Sequence, residues 1–174
     1  MLLLKSLIFS DSISVTCSYF SLKFSNMPKI KAINITNLSG ESTIYVNQAI
    51  LKRNKGIIND RYYENFKKKY EQVTLIESEK ISYFNNTIKN KLNYKDFRRN
   101  IITTGVDLNK MINKKLRINN VVLKIHQLCQ PCRYLQNKLS VDNLVKLLIN
   151  KGGVRAEIVQ SGVISTFDEI KIIK

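Results

Sequence analysis

The chain has 174 residues, 44% of them hydrophobic, and a formal net charge of +16. That length and hydrophobicity support one globular domain with a real core and exclude a disordered chain, and no apolar run approaches the roughly 18 residues of a membrane span. Three cysteines in a chain of this size do not describe a disulfide-stapled secreted scaffold, so a reducing, cytoplasmic setting is expected.

The positive charge raises nucleic acid as a partner, because clustered Lys and Arg neutralise phosphates. Of the 29 basic residues, however, 22 are Lys and 7 are Arg, and Arg is the residue that reads phosphate and base edges bidentately. Apart from "KKK" at 67–69 and "RR" at 98–99 the basic residues are scattered. This is a solvated basic surface rather than a dedicated nucleic-acid face, and nucleic acid is not the expected partner. A non-catalytic basic module, meeting nucleic acid or serving a larger enzyme, stays as the competing class.

Residues 1–26 carry seven Ser and neither Arg nor Gly, with a short apolar start broken by Lys5. A secretory signal or an Arg-rich transit peptide fits poorly. The segment reads as a leader that adds little to the core, with a weak organelle-targeting segment as the rival reading. Residues 27–174 are expected to form the domain. "KIKAINIT" (29–36), "QAILKR" (48–53) and "EQVTLI" (71–76) read as strands. In "ESEKISYFNNTIKNKL" the residues Ile81, Phe84, Ile88 and Leu92 recur at the three-to-four spacing of an amphipathic helix.

"FRRNIITTG" (97–105) reads as extended, so that only one of Arg98 and Arg99 is expected to point inward. "KLRI" and "VVLKIHQ" flank "NN" as a hairpin, with Val121, Leu123 and Ile125 on the core face and His126 opposite. "SVDNLVKLLINKGG" reads as the clearest helix, capped by Ser140 and ended by Gly152. "VRAEIVQSG" and "DEIKII" are two further strands around a turn near Gly162. Many short strands with few helices point to a mainly β, α+β fold with a closed or barrel-like sheet rather than βαβ repeats.

The stretch "HQLCQPCRYL" (126–135) holds the single His and two of the three Cys. A thioredoxin-like pair needs its C-x-x-C in the first turn of a βαβ unit, and here it lies late in a β-rich chain. Zinc would take His126, Cys129 and Cys132 but lacks a fourth Cys or His outside the leader, so zinc is not the expected metal. The remaining reading is a single thiol, Cys132, in the first turn of a helix with Pro131 at its start, beside Arg133. Spacing alone leaves that reading level with an inert buried Cys.

The order of several segments resembles the MOSC domain, named for the C-terminal part of molybdenum-cofactor sulfurases. They are "KGIINDRYY" (55–63), "QVTLIESE" (72–79), "FRRNI" and "TTGVDLN" (97–109), "CQPCRYLQ" (129–136), "KGGVRAEIV" (151–159) and "GVISTFDEI" (162–170). The resemblance implies a β-barrel domain like that of pyruvate kinase. It further implies chemistry linked to the molybdenum cofactor (molybdopterin): carriage of sulfur, or reduction of N-hydroxylated compounds with a cysteine on the metal. Pyridoxal phosphate binding is a further association.

The family's cysteine falls on Cys132, as catalytic thiol and metal ligand. Its anion-binding segment falls on Arg98 and Asn100, with Arg99 beside them. Asp60 and Arg61 are expected either to shape the same pocket or to pair in a turn, and Arg155 to approach it. The partners implied are a sulfur donor such as a cysteine desulfurase and, for a reductase, an external electron donor. Two positions depart from the family pattern: Asn59 and Phe167 stand where the family has Gly, and Phe tolerates a positive φ poorly.

Overall fold

The computed structural model describes residues 27–173, so the leader expected at 1–26 lies outside the described residues. Eleven strands and three α-helices occupy this span. The first strand, β1 (Lys29–Ile35), sends Ile30 and Ile33 to one core and Ala32 to another, helped by a register shift between Ile30 and Ala32. β2 (Ile44–Val46) pairs with it, and β3 (Gln48–Lys52) and β4 (Gly56–Ile57) form a hairpin.

β5 (Val73–Glu77) is buried at every position because it is central: antiparallel to a later strand on one side, parallel to β6 (Ile101–Thr104) on the other. The crossover between β5 and β6 contains α1 (Ser78–Ile88), whose Ile81 and Phe84 are buried and whose Ile88 packs at the core edge, as the three-to-four spacing predicts. Among the described residues β5–β6 is the one parallel pair.

β7 (Lys115–Ile118) and β8 (Val121–Leu128) form the expected hairpin around Asn119, whose φ is 51°. Val121, Leu123 and Ile125 enter the larger core. Near its end β8 pairs Ile125 with Ala156 but Gln127 with Arg155, so His126 is the extra residue of a bulge. α2 (Arg133–Leu139) and α3 (Leu144–Leu147) follow, then β9 (Val154–Gln160), β10 (Gly162–Ser165) and β11 (Ile170–Ile173).

The closed barrel is not what forms. One sheet of eight strands runs β11-β7-β8-β9-β5-β6-β1-β2, and a separate sheet of three runs β10-β3-β4. The eight-stranded sheet curls until its ends approach, but β1 meets the segment before β11 only through an isolated bridge, Lys29 to Glu169, and a few stitching bonds such as Ile30 N to Asp168 O, 2.9 Å. The turn that carries Phe167 at φ 72° interrupts the ladder there, and β3 and β10 have left for the second sheet. The fold is mainly β with a few helices, and open.

The helix expected over "SVDNLVKLLINKGG" is also shorter. Ser140 adopts φ 49° and closes α2 instead of capping a new helix, and Asn143 adopts φ 59°, so helical geometry resumes only at Leu144. Leu144 and Leu148 still reach the second core, beside Phe84, Phe97 and Leu135. That core lies between one face of the large sheet and the helices, and the larger core fills the concave side. No helix among the described residues is long and apolar enough to cross a membrane.

Candidate functional site

A cleft of about 400 Å³ gathers residues from five separate segments, among them Arg61, Arg98, Arg99, Cys129, Cys132 and Arg155. Each arrives by a local conformation that can be traced to its residues.

Cys132 is the N-cap of α2, with φ −128° and ψ 157°, one position outside the first turn expected for it, and Pro131 lies further out still. Its carbonyl accepts from Leu135 N (3.1 Å) and Gln136 N (3.2 Å), the first backbone bonds of the helix. The thiol makes no capping bond and stands exposed. Cys129 is its opposite: 4% exposed, with its N–H on Gly153 O at 2.8 Å and its carbonyl accepting from Arg99 Nη2 at 3.4 Å. His126 points to neither thiol; its Nε2 lies 2.9 Å from Glu157 Oε2 across the β8–β9 pair. Among the described residues no group of three His, Cys, Asp or Glu is placed to hold a metal ion.

"FRRN" is not a strand. A 3-10 turn over Tyr94–Phe97 ends with Arg98 in the left-handed region, φ 56°, and β6 starts only at Ile101. The strand alternation expected for this segment therefore does not apply, and both Arg98 and Arg99 line the cleft. Their duties differ. Arg99 spends its guanidinium on backbone carbonyls: Nε to Gly152 at 2.7 Å, Nη1 to Phe97 and Nη2 to Cys129, both at 3.4 Å. Arg98 donates to Glu41 O and lies 6.0 Å over the Tyr134 ring. Arg61 lies 4.6 Å over Tyr62 and donates from Nη2 to Arg98 O at 3.4 Å; its Nη1 is buried 3.6 Å from Asp60 Oδ2, with no hydrogen-bond partner among the described residues.

Asp60 and Asn100 do not face the cleft opening. Both are buried, and they form the brace behind it. Asp60 accepts from Thr36 N (3.3 Å), Tyr62 N (3.2 Å) and Asn100 Nδ2 (3.0 Å). Asn100 Oδ1 accepts from Thr74 N and Oγ1, at 3.1 and 2.8 Å, and its Nδ2 also reaches Asn34 O. Asn100 thus ties the Asp60 turn to β5 and β1, with its side-chain polar atoms engaged inside the protein. Asn59, at φ 65°, makes the turn that precedes it, as Asn tolerates.

The electrostatics are lopsided. Burial pushes the Asp60 carboxyl up, against Arg61 and the N–H donors that favour its charge. Burial, and then repulsion from Arg61, lower the Arg98 guanidinium from its ordinary value. Arg155 adds a fourth guanidinium, loosely tied to Glu71 at 3.9 Å. Four arginines against one buried carboxylate and a distant glutamate make a site for an anion, beside an exposed thiol.

Sequence reasoning misses four contributors. Tyr134 Oη (3.2 Å) and Lys138 Nζ both donate to Gly40 O, which fixes residues 39 and 40 as the far wall. Gly152 and Gly153, read as a helix end, instead buckle the cysteine loop to β5. A Cβ on Gly153 would lie 2.0 Å from Leu75 O, and one on Gly152 would lie 2.4 Å from Cys129 O. The signal for that role is the pairing of adjacent glycines directly before a strand of alternating apolar residues, Val154, Ala156 and Ile158.

Among solved structures the chain is similar to the YuaD protein from Bacillus subtilis, with a TM-score of 0.72 at 14% identity over 84% of this chain and 95% of that one. It is also similar to YiiM from Geobacillus stearothermophilus, at 0.70 and 16% identity, covering 84% of this chain and 75% of that one. YiiM from Escherichia coli gives 0.66 and 16%, over 84% of this chain and 70% of that one. At these identities the likeness is one of fold. A search of curated proteins finds no match. The MOSC domain matches residues 63–171, which span α1, the arginine segment, both thiols and the glycine pair, and the chain belongs to that family.

Proposed function

We propose that the cleft holds the molybdenum cofactor, with Cys132 as the protein's thiolate ligand or as the carrier of a sulfane sulfur. The observation that carries the reading is an exposed thiol in one cleft with Arg98 and with Arg61, whose buried Nη1 has no hydrogen-bond partner among the described residues and only a 3.6 Å ion pair to Asp60. A buried guanidinium N–H without a hydrogen bond is costly and fits an anionic group such as the cofactor's phosphate. A soft thiolate is the ligand that molybdenum-type centres take from a protein.

The residues divide the work. Arg61 and Arg98 bind the anionic tail, Arg155 extends the positive field, and Arg99, Asp60 and Asn100 hold these groups in place. The exposed position of Cys132 leaves its sulfur open to the cleft. When bound, the cofactor supplies two-electron chemistry suited to reducing N-hydroxylated compounds, with electrons from an external donor. For sulfur carriage, the Cys132 thiolate attacks the terminal sulfur of a cysteine desulfurase persulfide. The donor's S–S bond breaks, the donor leaves as a thiolate, and Cys132 carries the new persulfide. The described residues lining this cleft include no lysine, the side chain a pyridoxal phosphate Schiff base requires, and no such step is assigned.

The test separates the two parts of the site. Protein from cofactor-making cells is assayed for bound pterin, and protein treated with a desulfurase for labile sulfur. Arg61→Ala is expected to lose pterin and keep sulfur loading, and Cys132→Ser to lose sulfur loading. Wild-type protein with neither pterin nor labile sulfur overturns the reading. In that case binding to nucleic acid that weakens steeply with salt marks the basic-module alternative.

A further inference from the structure

A second cleft, of about 910 Å³, lies where β5 gives way to α1. It is walled by residues 77–80, 105–110 and 149–151 and shares no lining residue with the cysteine cleft. Its floor holds Glu77, 3% exposed. Glu77 Oε1 is satisfied twice, by Leu108 N at 3.0 Å and Lys80 Nζ at 2.7 Å. Glu77 Oε2 is buried and has no partner among the described residues. A buried carboxylate oxygen without a donor costs free energy that a donor from outside would recover.

The surroundings narrow what that donor belongs to. Glu77, Glu79 and Asp107 face Lys80, Lys110 and Lys151, an even balance in a chain of net charge +16. Such a cleft does not attract a polyanion as the arginine cleft does. The other two carboxylates are engaged: Glu79 Oε1 takes Gly105 N and Thr104 Oγ1, both at 2.8 Å, and Asp107 pairs with Lys110 at 3.2 Å. Lys151 Nζ lies over the Tyr83 ring, 5.1 Å from its centroid, instead of on a carboxylate. Val106 and Ile149 add an apolar wall, with Ile149 59% exposed.

We propose that this cleft binds a small zwitterion of the free α-amino acid class. Its ammonium group bonds Glu77 Oε2, its carboxylate meets Lys151, and an apolar side chain covers Val106 and Ile149. The site is independent of the cofactor reading, so Cys132→Ser leaves it intact.

Calorimetric titration of the full chain with L-leucine tests this, beside 4-methylpentanoate, which keeps only the carboxylate, and 3-methylbutylamine, which keeps only the ammonium. Leucine is expected to bind saturably, with each half-analogue weaker by roughly tenfold or more. Glu77→Gln is expected to weaken leucine by a similar factor. Because Glu77 also anchors Leu108 and Lys80, Lys151→Ala and Ile149→Ser are titrated too, since neither disturbs those bonds; each is expected to weaken leucine several-fold. No saturable heat with leucine, an amine analogue binding as tightly as leucine, or unchanged affinity in both Lys151→Ala and Ile149→Ser overturns the proposal.

Discussion

Two thiols three positions apart meet opposite environments: Cys132 is exposed at a helix cap, and Cys129 is buried with its backbone bonded on both sides. In a Cys17→Ser background, iodoacetamide is therefore expected to modify Cys132 in the native protein and Cys129 only after unfolding, as peptide mass mapping will read. Equal labelling of both in the native state contradicts the burial. Phe167 makes a second residue-level case. It holds φ 72° while the residue is 68% exposed, so it bears the left-handed strain with little burial in return. That conformation costs about 1–2 kcal/mol, of which glycine's extra chain entropy returns part. Phe167→Gly is expected to stabilise by about 1 kcal/mol, raising Tm by about 3 °C in a thermal melt.

Glu79, the second residue of α1, shows how a single carboxylate reports on an element's junction. Burial pushes its carboxyl up, but bonds from Gly105 N, its own N–H, Thr104 and Ser78 outweigh that and leave it below the ordinary 4.5. A lowered carboxyl pKa contributes stability that is present above the unfolded-state value and is lost as pH falls through the folded one. Glu79→Gln is expected to cost less than about 1 kcal/mol at pH 7, because the group is largely exposed and screened. In urea melts across pH the two proteins should converge below the ordinary glutamate range. The glycine pair sets a harsher constraint on the β9 start. Gly153→Ala combines φ 93° with a Cβ 2.0 Å from Leu75 O and is expected to cost more than about 3 kcal/mol, read as loss of soluble, folded protein.

How far these elements are legible in the sequence depends on what decides them. β1, β3, β5 and α1 follow from apolar period, because Ile30, Leu51, Leu75, Ile81 and Phe84 must be buried for the segment to pay its ordering entropy. "FRRN" and "SVDN" are misread for one shared reason. Arg98, Ser140 and Asn143 each take a positive φ set by tertiary packing, and no local preference of Arg or Ser announces it.

For the molecule as a whole, strand count and turn density identify a mainly β architecture but not whether its sheet closes. Closure turns on a few backbone pairs between residues 28–30 and 167–170, a long-range matter that local sequence does not state. The candidate site is legible through its residue types, since Cys132, Arg61, Arg98, Arg99 and Arg155 share one cleft. The division of labour among them is not, because pairing of guanidinium N–H groups with carbonyls such as Gly152 O exists only in the folded chain. Asn100 likewise looks like a ligand in sequence and proves to be a brace between Asp60 and Thr74.

The central claim is that this cleft holds the molybdenum cofactor or a sulfane sulfur on Cys132. It is tested most directly by metal analysis of full-length protein purified from cofactor-making cells, wild type beside Cys132→Ser. The account predicts molybdenum with pterin in the wild type, or labile sulfur where the metal is absent, and loss of metal or sulfur in Cys132→Ser. Wild-type protein carrying neither molybdenum nor labile sulfur, or a Cys132→Ser variant loaded as fully as the wild type, would contradict it.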